Sequence, residues 1–108
     1  MTFEEYQKEA QKTALCPEAY RLVYPALGLA GEAGELANKV KKVLRDHGGR
    51  LSEEAREAIL AELGDVLWYV AQVATDLGES LEAVAQANLA KLRSRKERGR
   101  LGGDGDDR

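Results

Sequence analysis

Histidine and cysteine are nearly absent from this sequence: its 108 residues include one of each, His47 and Cys16. A lone cysteine cannot form an internal disulfide, and it fits a reducing compartment. The lone histidine has Leu44, not an acid, three residues before it. The Glu-x-x-His pattern of di-iron carboxylate bundles is therefore missing, and a zinc site is disfavoured. Glycine-rich phosphate loops are missing too, since neither GxGxxG nor GxxxxGK occurs. No apolar run approaches the roughly 18 residues of a membrane span. No secretory signal is evident, so the expected location is cytoplasmic, with no membrane partner. Strand-type alternation and internal repeats are also lacking. Positive charge is in short supply overall, with a formal net charge of −3, which argues against a general nucleic-acid binder.

What remains is an ordinary globular composition, 44% apolar and 32% charged, in a chain that can bury only a modest core alone. Small all-helical chains often complete their core by oligomerising. The periodicity is helical nearly throughout. Thr2 and Glu5 form a capping-box start. A second helix runs from about Glu18 or Pro25 to His47 and is ended by Gly48-Gly49. Ser52 caps a third helix, which stops at Gly78, and Ser80 caps a fourth, running to about Arg98. Residues 1–98 read as one all-α domain. Residues 99–108 read as a flexible Gly/Asp-rich tail.

At 100° per residue, Ile59, Leu63, Val66, Val70, Val73 and Leu77 share one face of the third helix. Glu62, Asp65 and Tyr69 run along its border, and Trp68 points nearly opposite. No charge occurs from Val66 to Thr75. A helix apolar all round is buried all round, so a second subunit is expected on the Trp68 side. The expected fold is a four- to five-helix bundle completed by oligomerisation.

Two carboxylate pairs carry the chemistry: Glu32-x-x-Glu35 and Glu62-x-x-Asp65. An i,i+3 spacing puts both acids of a pair on one helix face. If the second and third helices pack antiparallel, the four oxygen donors meet and suit a hard cation such as Mg²⁺. The plainer alternative for the first pair is a solvated face with a Glu35–Lys39 ion pair. Gly28, Gly31 and Gly34 surround these acids, and each costs about 1 kcal/mol of helix stability relative to Ala. Glycine so placed suggests close approach of backbone or ligand. On the fourth helix Asn88 falls among Leu81, Val84, Ala85 and Leu92, with Lys91 and Arg95 following on the same side. That line suits phosphate contact; the alternative is a hydrogen-bonded core amide with two snorkelling bases.

Four segments together resemble a known family: Gly28-Leu-Ala-Gly-Glu-Ala-Gly-Glu-Leu36, Glu62-Leu-Gly-Asp-Val-Leu-Trp-Tyr69, Asn88-Leu-Ala-Lys-Leu92 and Gly102-Gly-Asp-Gly-Asp-Asp-Arg108. Each is weak alone. In this order and spacing, from about residue 20 to the C-terminus, they resemble the MazG-like nucleoside triphosphate pyrophosphohydrolases of the all-α NTP pyrophosphatase superfamily. The resemblance implies Mg²⁺-dependent hydrolysis (Mn²⁺ as substitute) of nucleoside triphosphates between the α and β phosphates, in nucleotide-pool house-cleaning. Carried over by position, Glu32, Glu35, Glu62 and Asp65 would bind the metal. Asn88 and Lys91, with Arg95 or Lys39, would contact phosphates, and Tyr69 would face the nucleotide. The tail ending in Arg108 would close over the site, a homodimer or dimer of dimers being expected. Many members carry two adjacent glutamates at the first motif, whereas here Gly31 precedes Glu32. Glu32, Glu35 or a metal-bound hydroxide therefore remain open as the general base. The non-enzymatic alternative is a helical dimerisation module. A third reading gives the basic 91–100 segment to nucleic acid.

Overall fold

The computed structural model describes all residues from Met1 to Arg108 and contains four α-helices, one 3-10 turn and no strand. Helix α1 spans Phe3–Gln11. Thr2 Oγ1 accepts the Glu5 amide at 3.1 Å while the Glu5 carboxylate accepts the Thr2 amide at 3.4 Å, so the expected capping box is formed. The 3-10 turn, Glu18–Tyr20, stands apart from α2, which spans Val23–His47 and carries Pro25 in its first turn. Proline is tolerated there because the first amides of a helix have no intrahelical partner. Gly48, at φ 59, ends α2. Helices α3 (Glu53–Asp76) and α4 (Leu81–Glu97) start at Ser52 and Ser80, whose hydroxyls accept the amides of Ala55 and Ala83. Gly78, with φ 73, makes the turn between them.

The register of α2 against α3 positions the site. Leu22 donates its amide to Asp76 Oδ2 at 2.7 Å. Gly28 lies under the ring of Tyr69. Glu32 meets Glu62 and Asp65, and Lys39 Nζ lies 3.6 Å from Glu62 Oε1. Residue numbers fall along α2 as they rise along α3, which is the antiparallel packing that the paired acids require. Leu22 itself holds a left-handed φ of 64, unfavourable for a branched side chain, and Asp76 pins its amide.

Helix α1 crosses the other side of α3. The Gln7 amide bonds Thr75 Oγ1 (3.0 Å) and the carbonyl of Glu79 (2.9 Å), and its oxygen accepts the Leu81 amide (2.8 Å). One side chain thus ties α1 to the end of α3 and the start of α4. Trp68 Nε1 donates to Thr13 Oγ1 at 2.9 Å.

This placement corrects the expected use of the α3 faces. The Trp68 side is covered from Trp68 onward within the chain by α1 and the segment after it, and Ala71 there is wholly buried, while Ala61 and Gly64 at the start of that face are exposed. On the face expected to form the core, Leu63 and Leu77 are more than half exposed. A helical wheel tells which residues share a face, but small side chains admit a neighbouring helix more closely than leucines do. The buried apolar core consists of Ala10, Ala71, Ala74 and Leu81.

Helix α3 is long and apolar, but it is not a clear membrane span. Its apolarity has another use: it packs against α1, α2 and α4. It also carries Glu62 and Asp65.

Of the three glycines around the first acid pair, only Gly28 is required by packing. A Cβ there would overlap the Tyr69 ring, while Gly31 and Gly34 have open space. Gly28→Ala should therefore destabilise by about 1–3 kcal/mol through overpacking. Gly34→Ala should gain up to about 1 kcal/mol from helix propensity. Thermal melts followed by circular dichroism should move in opposite directions, by about 4–8 °C per kcal/mol.

Candidate metal centre

The i,i+3 spacing of Glu62 and Asp65 turns both toward α2, and the antiparallel register brings Glu32 opposite them. One ligand oxygen from each of the three lies within 4.8 Å of the others. Glu32 and Glu62 are half-buried, and Asp65 is exposed. Glu62 Oε1 faces Lys39, whereas Glu62 Oε2 is buried and has no hydrogen-bond partner. Such an orphan oxygen costs free energy unless something positive meets it.

The electrostatics agree. The Glu32 carboxyl is raised above its ordinary range, first by the Glu62 carboxylate close against it, then by burial, then by the charges of Asp65 and Glu35. Crowded carboxylates hold a proton between them when no cation is present to separate their charges. The donor set is oxygen throughout. It fits a hard divalent cation, which would be held by Glu32, Glu62 and Asp65. Glu35 stands outside this trio, exposed one turn further along α2, and acts on Glu32 by charge.

Tyr69 leans on Gly28 and meets Trp68 edge to face, centroids 4.9 Å apart at 88°. Burial, then Tyr24, Glu32 and Asp65, push its phenol above the ordinary range, so it remains a neutral donor at physiological pH. Trp68 and Tyr69 line a small cleft with Glu32 and Asp65, and they also line a larger cavity of about 420 Å³.

The remaining candidate residues lie elsewhere. Asn88, expected among apolar neighbours, is exposed in a shallow groove with Lys91. Only the start of α4 is packed: Leu81 is buried, but Val84 and Leu92 are not. Lys91 and Arg95 both grip Asp106, at 2.7 and 3.0 Å. Arg95 is buried beneath the tail and also donates to the Asp106 carbonyl. Arg108 gathers the carbonyls of Arg100, Leu101 and Gly105. The tail has no regular secondary structure and folds back on its own α4.

Gln72 escaped sequence reading. It is buried and lines the larger cavity. Its signal was its position three residues past Tyr69, on the same stripe.

Comparison with known proteins agrees with the geometry. Residues 25–99 match the MazG nucleotide pyrophosphohydrolase domain. The chain belongs to that family. Among its relatives is the Gene 37 protein of Mycobacterium phage L5, 51% identical over the full length of both chains. No solved structure matches. MazG proteins generally depend on divalent metal, and the acid trio is the cluster in this chain suited to one.

Asp106 supplies a prediction. Its hydrogen bonds to Lys91 and then Arg95 hold its carboxyl below the ordinary value of 3.8. A depressed carboxyl pKa stabilises the docked tail at pH above that ordinary value, and the stabilisation is lost as pH falls through the depressed one. The tail amides should be protected from hydrogen exchange at neutral pH. Protection should be lost in acid, weakened by salt, and reduced at neutral pH by Asp106→Asn.

Proposed function

We propose that this protein is a Mg²⁺-dependent nucleoside triphosphate pyrophosphohydrolase, cleaving between the α and β phosphates to give a nucleoside monophosphate and pyrophosphate. The observation that carries the reading is the convergence of Glu32, Glu62 and Asp65 from two helices on one point, with Glu62 Oε2 buried and unpaired.

In this reading Glu32, Glu62 and Asp65 hold Mg²⁺, and Glu35, one turn away on the same helix, completes the set. Mn²⁺ serves as a substitute. The bound ion would spread phosphate charge and acidify a coordinated water. Glu32 or Glu35, both beside the ion, would take the proton from that water. Lys39, beside Glu62, offsets negative charge at the phosphates. Tyr69 faces the nucleotide as a neutral hydroxyl donor.

Asn88, Lys91 and Arg95 lie outside the cleft that holds Glu32 and Asp65. They would take the outer phosphates of a substrate shared with a second subunit, the tail that Arg108 orders being a lid that opens as phosphate replaces Asp106. A homodimer or dimer of dimers is supported by the exposure of Leu27, Leu44, Leu63 and Leu77, each more than half open to solvent, on a chain whose own core is mostly alanine. The setting is the cytoplasm, and the role is removal of unwanted nucleotides.

The test is pyrophosphate release from a panel of canonical and modified triphosphates. Wild type should release pyrophosphate with Mg²⁺ and stop in EDTA. Glu62→Gln should keep its helical circular dichroism and lose turnover by about a hundredfold or more, since even outer-shell changes at metal sites cost about 10- to 100-fold. Mg²⁺ should raise the melting temperature of wild type and leave that of Glu62→Gln unmoved. No release from any triphosphate, or full activity in Glu62→Gln, would overturn the reading.

A further inference from the structure

The larger cavity shares Trp68 and Tyr69 with the acid cleft. A nucleotide whose phosphates lie at the acids and whose body crosses these two rings therefore extends into it. Aromatic walls suit a base, which can stack on them whatever its identity.

Most polar groups in the wall are already committed. Thr13 Oγ1 accepts from Trp68 and donates to the Ala10 carbonyl at 2.7 Å. Thr75 Oγ1 donates to the Ala71 carbonyl and accepts from Gln7. Asp76 accepts the Leu22 amide, with Arg21 Nε 3.8 Å away. The Cys16 thiol donates to the Pro17 carbonyl. Gln72 differs: it is only 6% exposed, and its Nε2 has no partner. A buried amide donor left unpaired is costly and calls for a specific reason.

We propose that the cavity receives the nucleobase and that the Gln72 carboxamide reads its hydrogen-bonding edge, making Gln72 a specificity-determining residue. This rests on the nucleotide-hydrolase reading and names the part of the substrate that its neighbouring cavity takes. A carboxamide presents a donor beside an acceptor. That pair complements the adjacent N–H and carbonyl of uracil or guanine. With the amide turned over, it complements the amine and ring nitrogen of cytosine or adenine. Nε2 is closed to water as well as unpaired, so it meets a base once the carboxamide turns into the cavity, and every one of these edges offers it an acceptor.

Trp68 is the sole tryptophan, so its single indole N–H resonance reports on the cavity wall. The experiment titrates ¹⁵N-labelled protein, in EDTA, with adenosine, guanosine, cytidine and uridine monophosphates. In wild type the Trp68 indole and Gln72 side-chain amide signals should shift saturably, with affinities that differ among bases. Gln72→Met keeps the length and removes the amide. It should retain the fold, weaken the preferred monophosphate by about tenfold or more, and level the ranking. Gln72→Glu, which only accepts, leaves the acceptor on every base unmet and should weaken all the monophosphates. In pyrophosphate release, Gln72→Met should raise KM with kcat nearly kept.

Two results would overturn the proposal: wild type showing no saturable shift with any monophosphate, or Gln72→Met retaining wild-type affinity and ranking. Failure of the parent reading looks different. Saturable, Gln72-dependent shifts without pyrophosphate release from wild type would sink the hydrolase and leave the base pocket standing.

Discussion

The antiparallel register between α2 and α3 is the constraint on which the site depends. It is held from both ends: Asp76 takes the amide of Leu22 at one, and Lys39 approaches Glu62 toward the other. Between them Gly28 lets the Tyr69 ring lie against the backbone of α2. A slip of one turn along either helix would carry Glu32 about 5.4 Å from its partners, more than the 4.8 Å that now spans the acid group. The ring against the glycine and the carboxylates beside it are therefore one device. Packing fixes the register, and the register gathers the charges.

Those charges work against folding. Glu32, Glu62 and Asp65 repel one another, and Glu32 responds by binding its proton more tightly. The buried Glu62 oxygen adds a desolvation cost with no hydrogen bond to offset it. A helix pair chosen for stability alone would place apolar or oppositely charged residues there. Local rules broken without local compensation mark functional sites. Lys39 relieves only one oxygen. A divalent cation relieves all three acids together, because it supplies two positive charges at the point where the carboxylates already converge.

Much of the fold was legible in the sequence because it is encoded locally. Thr2, Ser52 and Ser80 act as caps, and Gly48 and Gly78 end helices, through bonds that reach no further than one turn. The acid pairs were legible for the same reason, since i,i+3 spacing fixes a face. What escaped depends on which neighbour takes which face. Trp68 was read as an anchor for another subunit, but α1 and the Thr13 hydroxyl meet it within the chain. Asn88 shares a wheel sector with Leu81, yet α4 is packed only near its start, so Asn88 stays exposed. Glu35 matches Glu32 in spacing, but the trio closes without it. Gln72 looked like any mid-helix glutamine until burial removed its solvent.

The chain also separates its two kinds of charge. Acids gather between α2 and α3, while Lys91 and Arg95 sit on α4 with Asp106 between them. A carboxylate asks of lysine and arginine much the same geometry as a phosphate does, and arginine meets either with its planar fork. Arg95 is buried where it does so, and a buried guanidinium must keep an anionic partner or bear a large desolvation cost. The tail is thus more than a loose end: its Asp106 supplies the counter-charge that makes the buried position of Arg95 tolerable. Any phosphate that engages Arg95 has to replace that carboxylate. Engagement of this basic cluster by a substrate is consequently coupled to displacement of the tail, through competition for the same nitrogen donors.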